Sequence, residues 1–113
     1  MINAEHLRNK ATAIILANQA KNSGNKEEAK RQFLIAAPLE EEMFESLAAD
    51  GRHDYIINVI SAVWCWFHAG EYQQALLAGQ RGRALLTDKV ALSWVEELDA
   101  LILMIQNKVD EKF

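Results

Sequence analysis

Two widely spaced glycines divide this sequence, and they limit its fold more than any other feature. Gly24 and Gly70 each follow a long segment whose apolar residues recur every three or four positions, and each precedes another such segment. Glycine readily adopts the left-handed backbone conformation that commonly follows the C-terminus of a helix. The periodicity is helical rather than the alternation that a half-buried strand shows. The pattern therefore predicts an all-α chain of about five helices joined by short loops.

The first two helices are predicted from this periodicity and from capping residues. The first covers about Ala4 to Asn22, and Asn25 is a suitable N-cap for the second, with Glu28 placed to complete a capping box. Pro38 is expected to interrupt the second helix, because proline lacks an N–H group and clashes with the preceding turn. The segment is therefore either one kinked helix or two helices in series.

Three more helices are predicted in the second half. The third covers about Tyr55 to Ala69, with Asp54 as its expected cap, and it is apolar around most of its circumference. A helix of that kind is expected to lie between neighbours on several sides. The fourth is predicted from Glu71 to about Leu86, and Thr87 or Asp88 is expected to cap the fifth. Short loops between long helices predict antiparallel hairpins.

Composition narrows the function classes. Half of the 113 residues are hydrophobic and a quarter are charged, as in an ordinary single globular domain. A net charge of -4 argues against a nucleic-acid partner. The longest apolar runs, such as 59–67, are shorter than the roughly twenty residues of a membrane span, so no membrane partner is expected. Residues 1–10 have no apolar signal segment and Cys65 is the only cysteine, which together predict a cytoplasmic location.

The two turns resemble each other and a known family. Ala29, Phe33 and Ala36 follow Gly24 by five, nine and twelve positions, and 70–76 reads Gly-Glu-Tyr-Gln-Gln-Ala-Leu. This pattern resembles the tetratricopeptide repeat, whose helix-turn-helix unit has a turn glycine, an aromatic residue two positions later and small residues at fixed offsets. The spacing departs from the family's, since the two glycines stand 46 positions apart rather than about 34.

The resemblance implies a specific architecture. It implies antiparallel helix hairpins stacked as a right-handed superhelix within a single domain, 1–113. The repeat-like units would cover about 4–38 and 54–86, with a packing helix at about 88–111 and extra residues at 39–50. Alanine at the crossing points lets two helices approach closely, which such stacking requires.

A binding groove is also implied by the resemblance. In this family the first helix of each pair lines a concave groove that holds a peptide or a partner helix. Carried over to this sequence, the groove would be lined by Ile14, Asn18, Lys21, Ile57, Ile60, Trp64, Phe67 and His68. The implied function is a protein–protein interaction module, such as a small chaperone or adaptor, without a cofactor. Alternatively, the aromatic residues of the third helix are simply core.

A second hypothesis is a self-associating structural protein. The outer face of the first helix includes Ile14 and Ile15, although terminal units of repeat proteins need polar outer faces for solubility. Docking of this face on a second copy would give a homodimer without a peptide groove.

Candidate catalytic or metal-binding patterns are weak, and we expect no enzyme. Cys65 and His68 share a helix face, but no second such pair exists, and packing is the expected role. Glu40, Glu41, Glu42 and Glu45 are expected to form a solvated helix start after the proline, where carboxylates are favoured.

The segment 79–83 has two glycines but neither the preceding strand nor the Lys-Ser or Lys-Thr ending of a phosphate-binding loop. Gly79 and Gly82 are instead expected to make room for the side chains of Trp64 and Trp66. No catalytic residue, metal ligand or cofactor site is predicted.

Overall fold

A computed structural model describes residues 4–111 of the chain. Its five helices are α1 (Ala4–Asn22), α2 (Lys26–Ala49), α3 (Ile56–His68), α4 (Tyr72–Ala84) and α5 (Leu92–Asp110). No strand occurs among the described residues, so the prediction of an all-α fold with about five helices is confirmed. None of the five helices is both long and apolar enough to cross a bilayer.

The predicted turn glycines end their helices. Gly24 and Gly70 both have a φ of +79°, the left-handed conformation that glycine adopts without a steric penalty. Asn25 caps α2 as predicted, because its Oδ1 accepts a hydrogen bond from the backbone N–H of Glu28 at 3.2 Å. The Glu28 side chain bonds to Arg31 and Gln32. The hydrogen bond to the cap residue is therefore present. The Glu28 carboxylate, however, accepts from side chains of α2 and does not complete the predicted capping box.

The predicted cap of α3 is wrong. Asp54 makes no capping bond and instead forms an ion pair with Arg52 at 2.7 Å. The helix begins at Ile56, after Tyr55, whose ring is buried and whose hydroxyl donates to the carbonyl oxygen of Leu85 at 2.5 Å. A long-range bond to the end of α4 therefore fixes the start of α3, and no local sequence signal reports such a bond.

The predicted start of α5 is also too early. The helix begins at Leu92 after Ala91, and neither Thr87 nor Asp88 caps it. The Thr87 hydroxyl accepts from the backbone N–H of Lys89 at 3.3 Å, which forms a local turn before the helix. Serine and threonine hydroxyls can stabilise such turns as an alternative to capping a helix.

Pro38 does not divide the second helix, since α2 continues through it for 24 residues. Proline inside a helix costs about 3 kcal/mol. The packing of both flanks offsets this cost, because Ala37 and Glu40 are buried on either side while Pro38 itself is exposed. The extra residues 39–50 are thus the second half of α2 and its C-cap, Asp50, which accounts for the long spacing between the two turn glycines.

Consecutive helices pack against each other in antiparallel pairs. An ion pair between Lys10 and Glu40 joins the first half of α1 to the second half of α2. At the other end of the fold, Arg83 near the end of α4 pairs with Asp99 in the first half of α5. α3 also contacts α5, so it has neighbours on several sides, as its composition predicted.

Two clusters of buried side chains hold the helices together. We call the first the alanine cluster; it joins α1, α2 and the end of α3 and contains Ala13, Ala17, Ala20, Ala29, Phe33, Ala36, Ala37, Cys65 and Ala69. We call the second the main core. It joins α2, α3, α4 and α5 and contains Phe44, Leu47, Tyr55, Ile56, Val59, Ile60, Ala62, Val63, Ala75, Leu76, Ala78, Val90, Leu98, Leu101, Ile105 and Val109.

The two glycines of α4 make room for aliphatic side chains, not for the tryptophans that the sequence suggested. A Cβ atom at Gly82 would collide with the side chain of Val59. A Cβ atom at Gly79 would lie 2.9 Å from Cγ1 of Ile102. These glycines therefore allow α4 to approach both α3 and α5 closely.

The acidic cluster of α2 is not a solvated helix start, contrary to expectation. It lies in the middle of the helix, and its members bind other helices. Glu40 is buried and pairs with Lys10 at 3.0 Å. Glu41 accepts from the Trp66 indole at 3.3 Å and pairs with Arg81 of α4. Burial raises the pKa of Glu41, although Arg81 opposes the shift.

Candidate functional site

One face of α3 remains exposed although its other faces are buried. Ile57 and Trp64 lie seven residues apart, which is about two helical turns, and His68 follows one turn later. Ile57 is 54% exposed and Trp64 is 37% exposed. We call these three residues the α3 stripe. Large apolar side chains on an otherwise buried helix form a surface that other molecules can contact.

Ring contacts hold Trp64 and His68, at the C-terminal end of this stripe, in place. The Trp64 and His68 rings stack at a centroid distance of 5.4 Å, and His68 stacks on Phe33 of α2 at 5.3 Å. Phe67 meets the Trp64 ring edge-on at 5.6 Å and lies 5.2 Å from the ring of Tyr72. The rings thus form a continuous platform in which Trp64 and His68 are the exposed members.

Two residues predicted for the groove are less accessible. Ile60 is only 7% exposed and belongs to the main core, so we leave it out of the proposed surface. Phe67 is partly buried against the same core and supports Trp64 from the side. The two alternatives, groove and core, therefore apply to different residues of α3. Ile60 is a core residue, whereas Ile57 and Trp64 are exposed.

Of the predicted residues of α1, Lys21 is the one that the structure places beside the C-terminal end of this stripe. Ile14 is partly buried against the alanine cluster, and Asn18 and Lys21 are exposed. Lys21 lines the same cleft as His68, so the structure brings these two predicted residues together. Asn18 precedes Lys21 by three residues and therefore shares its helix face.

A cleft of about 410 Å³ opens where the two glycine turns meet. We call it the lysine cleft. Its side chains come from α1, α2 and the end of α3, and its lining includes both turn glycines: Lys21, Gly24, Lys26, Ala29, Lys30, Phe33, His68, Ala69 and Gly70.

Lys26, Lys30 and Phe33 were not predicted as site residues from the sequence. The sequence did contain a signal that they lie together, because they stand at positions i, i+4 and i+7, which share one face of a helix. That face borders the turn at Gly24, which the sequence located correctly.

The lysine cleft carries positive charge, because its lining among the described residues includes three lysines and no acidic residue. Within residues 4–111, none of the three cleft lysines forms an ion pair with a carboxylate. Partial burial lowers the pKa of His68, and the positive charge of Lys21 lowers it further. Both effects disfavour the charged imidazole of His68, so the lysines are the main source of positive charge in the cleft.

Cys65 and His68 do not form a chemical pair. The Cys65 thiol is buried in the alanine cluster, whereas His68 lies on the α3 stripe. Burial, reinforced by the charge of Glu40, raises the pKa of Cys65 to about 12. Such a thiol is not a nucleophile at neutral pH. In the part of the chain that the structure describes, no three His, Cys, Asp or Glu side chains are grouped to hold a metal ion.

Comparison of this chain with protein-family models, with curated proteins and with solved structures finds no match. Its function is therefore inferred from the geometry of the described residues. The main features of that geometry are the α3 stripe and the adjoining lysine cleft.

Proposed function

We propose that this chain is a protein–protein interaction module that acts by binding rather than by catalysis. The α3 stripe, flanked by Asn18 and Lys21 of α1, receives an amphipathic helix or an extended segment of a partner protein. Such a module serves as a small chaperone or adaptor. We further propose that its hairpins stack as a tetratricopeptide-like right-handed superhelix, with α1 and α3 as the first helices of two units.

The exposed stripe on α3 is the observation that supports this proposal. Val59 and Val63 of the same helix are fully buried, and Cys65 is nearly so, while Ile57 and Trp64 remain open. Fully covering a large apolar side chain contributes about 1.5 to 3 kcal/mol. A partner that covers both side chains therefore gains binding energy without rearranging the core. Aromatic residues held in place by neighbours are also common anchors of protein interfaces.

A second candidate is a homodimer through the outer face of α1. Ile15 is 56% exposed and Leu16 is 40% exposed, because α1 packs on its neighbours through the face that carries Ala13, Ala17 and Ala20. Light scattering on the purified chain separates the candidates. A concentration-independent monomer favours partner binding, and a dimer that Ile15→Asp dissociates favours self-association.

The substitution Trp64→Ala tests the leading proposal. Peptides selected from an unbiased random library on the wild-type chain should bind the variant at least about tenfold more weakly, as expected for an interface anchor. Stability should fall by only about 1 kcal/mol, since Trp64 is partly exposed and loses chiefly its ring contacts. Urea denaturation and fluorescence anisotropy provide the two measurements.

Leu103→Ala is the matched control, because Leu103 is an exposed leucine on α5 and no residue of α5 belongs to the stripe or to its ring contacts. It should leave peptide binding unchanged. A loss of about 3 to 5 kcal/mol for Trp64→Ala would instead show that Trp64 is a core residue. Equal effects of both substitutions on peptide binding would place the binding surface elsewhere.

A further inference from the structure

The lysine cleft and the α3 stripe form one continuous surface with two chemical characters. His68 belongs to both, since it stacks on Trp64 in the stripe and lines the cleft with Lys21. The stripe offers apolar and aromatic area, and the cleft offers ammonium groups. A segment that covers Trp64 therefore passes directly beside the lysines.

The cleft lysines are arranged to receive an anion. They reach it from two helices, with Lys21 near the end of α1 and Lys26 and Lys30 in the first two turns of α2. Like charges this close repel one another, and a carboxylate between them removes that repulsion. The positive end of the α2 dipole lies at the same place and adds to the attraction.

We infer that the lysine cleft recognises carboxylate side chains of a partner peptide, next to an aromatic or branched aliphatic residue that lies on Trp64. This inference rests on the proposed function and specifies the chemistry of the partner. The charge complementarity favours an acidic peptide, since the cleft contributes three lysines and no acidic side chain. A nucleic acid would need an extended basic track along its backbone, and the chain as a whole has a net charge of -4.

The experiment is a parallel selection of random twelve-residue peptides displayed on phage. One target is the wild-type chain and the other is the triple variant Lys21→Glu, Lys26→Glu, Lys30→Glu. Wild-type selection should enrich Asp or Glu within about one helical turn of an aromatic or branched aliphatic residue. Selection on the triple variant should lose the acidic preference and keep the apolar one.

Synthetic copies of the enriched peptides then give the affinities. The triple variant should bind them at least about tenfold more weakly than the wild type, and the difference should shrink as salt screens the charges. Lys89→Glu is the matched control, because Lys89 is an exposed lysine outside the cleft, and it should retain wild-type affinity. If the triple variant does not fold, the neutral set Lys21→Gln, Lys26→Gln, Lys30→Gln should weaken binding in the same direction.

The pKa of His68 gives an independent readout by NMR titration. A bound carboxylate offsets the positive charges of Lys21, Lys26 and Lys30, whereas burial of the ring by any peptide lowers the pKa of His68. The pKa of His68 should therefore be higher in the complex with an acidic peptide than in the complex with the same peptide carrying Asn and Gln in place of Asp and Glu. Equal pKa values in the two saturated complexes would show that the carboxylates lie outside the cleft and would overturn the inference.

The remaining outcomes separate this inference from the proposed function. Enriched peptides without acidic residues, or peptides that bind the triple variant equally well, overturn the inference and leave the proposed function standing. The absence of any enriched peptide contradicts both. A wild-type oligomer that the triple variant dissociates would show that a second copy occupies the cleft, which also overturns the inference.

Discussion

The alanine cluster joins α1, α2 and the end of α3 through small side chains, whereas the main core fills the space among α2, α3, α4 and α5 with large ones. Seven of the nine members of the alanine cluster are alanines, and Phe33 is its one large ring. The main core contains Phe44, Tyr55, Leu98 and Ile105, all almost completely buried. Small side chains let helices approach closely but remove little apolar area from water.

This difference implies an uneven distribution of stability. We expect the main core to supply most of the free energy of folding and α1 to be the helix that opens most easily. The proposed binding surface lies between these regions, since Trp64 belongs to the well-supported α3 while Lys21 belongs to α1. Surfaces built partly on weakly held elements commonly become more ordered when a partner binds.

The largest expected effect distinguishes the two buried phenylalanines. Phe44→Ala should cost about 3 to 5 kcal/mol of unfolding free energy, because it removes a fully enclosed ring from the main core. Phe33→Ala should cost at least about 1 kcal/mol less, since Phe33 lines the open lysine cleft and its site can refill. Urea denaturation of both variants measures the difference. Equal costs would contradict the proposed division between the clusters.

The second effect concerns the ion pair that fixes α1 to α2. Glu40 is 2% exposed and has Lys10 at 3.0 Å as its charged partner, with Asn58 donating at 3.3 Å. Lys10→Met should therefore cost about 3 kcal/mol by leaving a buried carboxylate without its countercharge. The double variant Lys10→Met, Glu40→Leu should recover most of that loss.

Lys89→Met provides the baseline for this test, since an exposed lysine should contribute less than about 0.5 kcal/mol. A Lys10→Met variant as stable as Lys89→Met would mean that the ion pair contributes nothing to holding α1. Thermal and urea denaturation give the same comparison independently.

The smallest expected effect is the difference between two free energies: that of a local opening that exposes Cys65 and that of global unfolding. This thiol is buried under α1 in the alanine cluster, so separation of α1 exposes it without unfolding the main core. Its alkylation by iodoacetamide under native conditions should give an opening free energy at least about 1 kcal/mol below that of global unfolding. Equal values would show that α1 opens only when the whole chain unfolds.

The same thiol predicts a dependence of stability on pH. Its pKa is about 12 in the folded chain against an ordinary value of 9.0. The unfolded chain therefore loses this proton first, and the contribution of Cys65 to stability should fall as pH rises from about 9 to about 12. Cys65→Ala should show less of this fall in the same pH range, which urea denaturation at each pH measures.

Local sequence signals predicted the helices well because their causes are local. Gly24 and Gly70 end helices through their own backbone conformation, and Asn25 caps α2 through a bond to a residue three positions away. The multiple buried faces of α3 followed from its composition, since few polar residues interrupt it.

Features that depend on distant residues were not predictable in this way. The start of α3 depends on the bond between Tyr55 and Leu85, and the continuity of α2 through Pro38 depends on packing at both of its flanks. The lysine cleft exists because two turns 46 positions apart lie together, which no local pattern reports. The glutamates of α2 were misassigned because their partners, such as Lys10 and Arg81, belong to other helices.

The most direct test of the proposed function is a map of the peptide-binding surface by NMR. A peptide selected from the random library would be titrated into labelled protein, and the backbone amide shifts would be followed residue by residue. The proposal predicts that the largest shifts lie along Ile57, Trp64 and His68 and extend to Lys21, with little change in α5. Shifts centred on Ile15 of α1, or on Leu103 of α5, would contradict it.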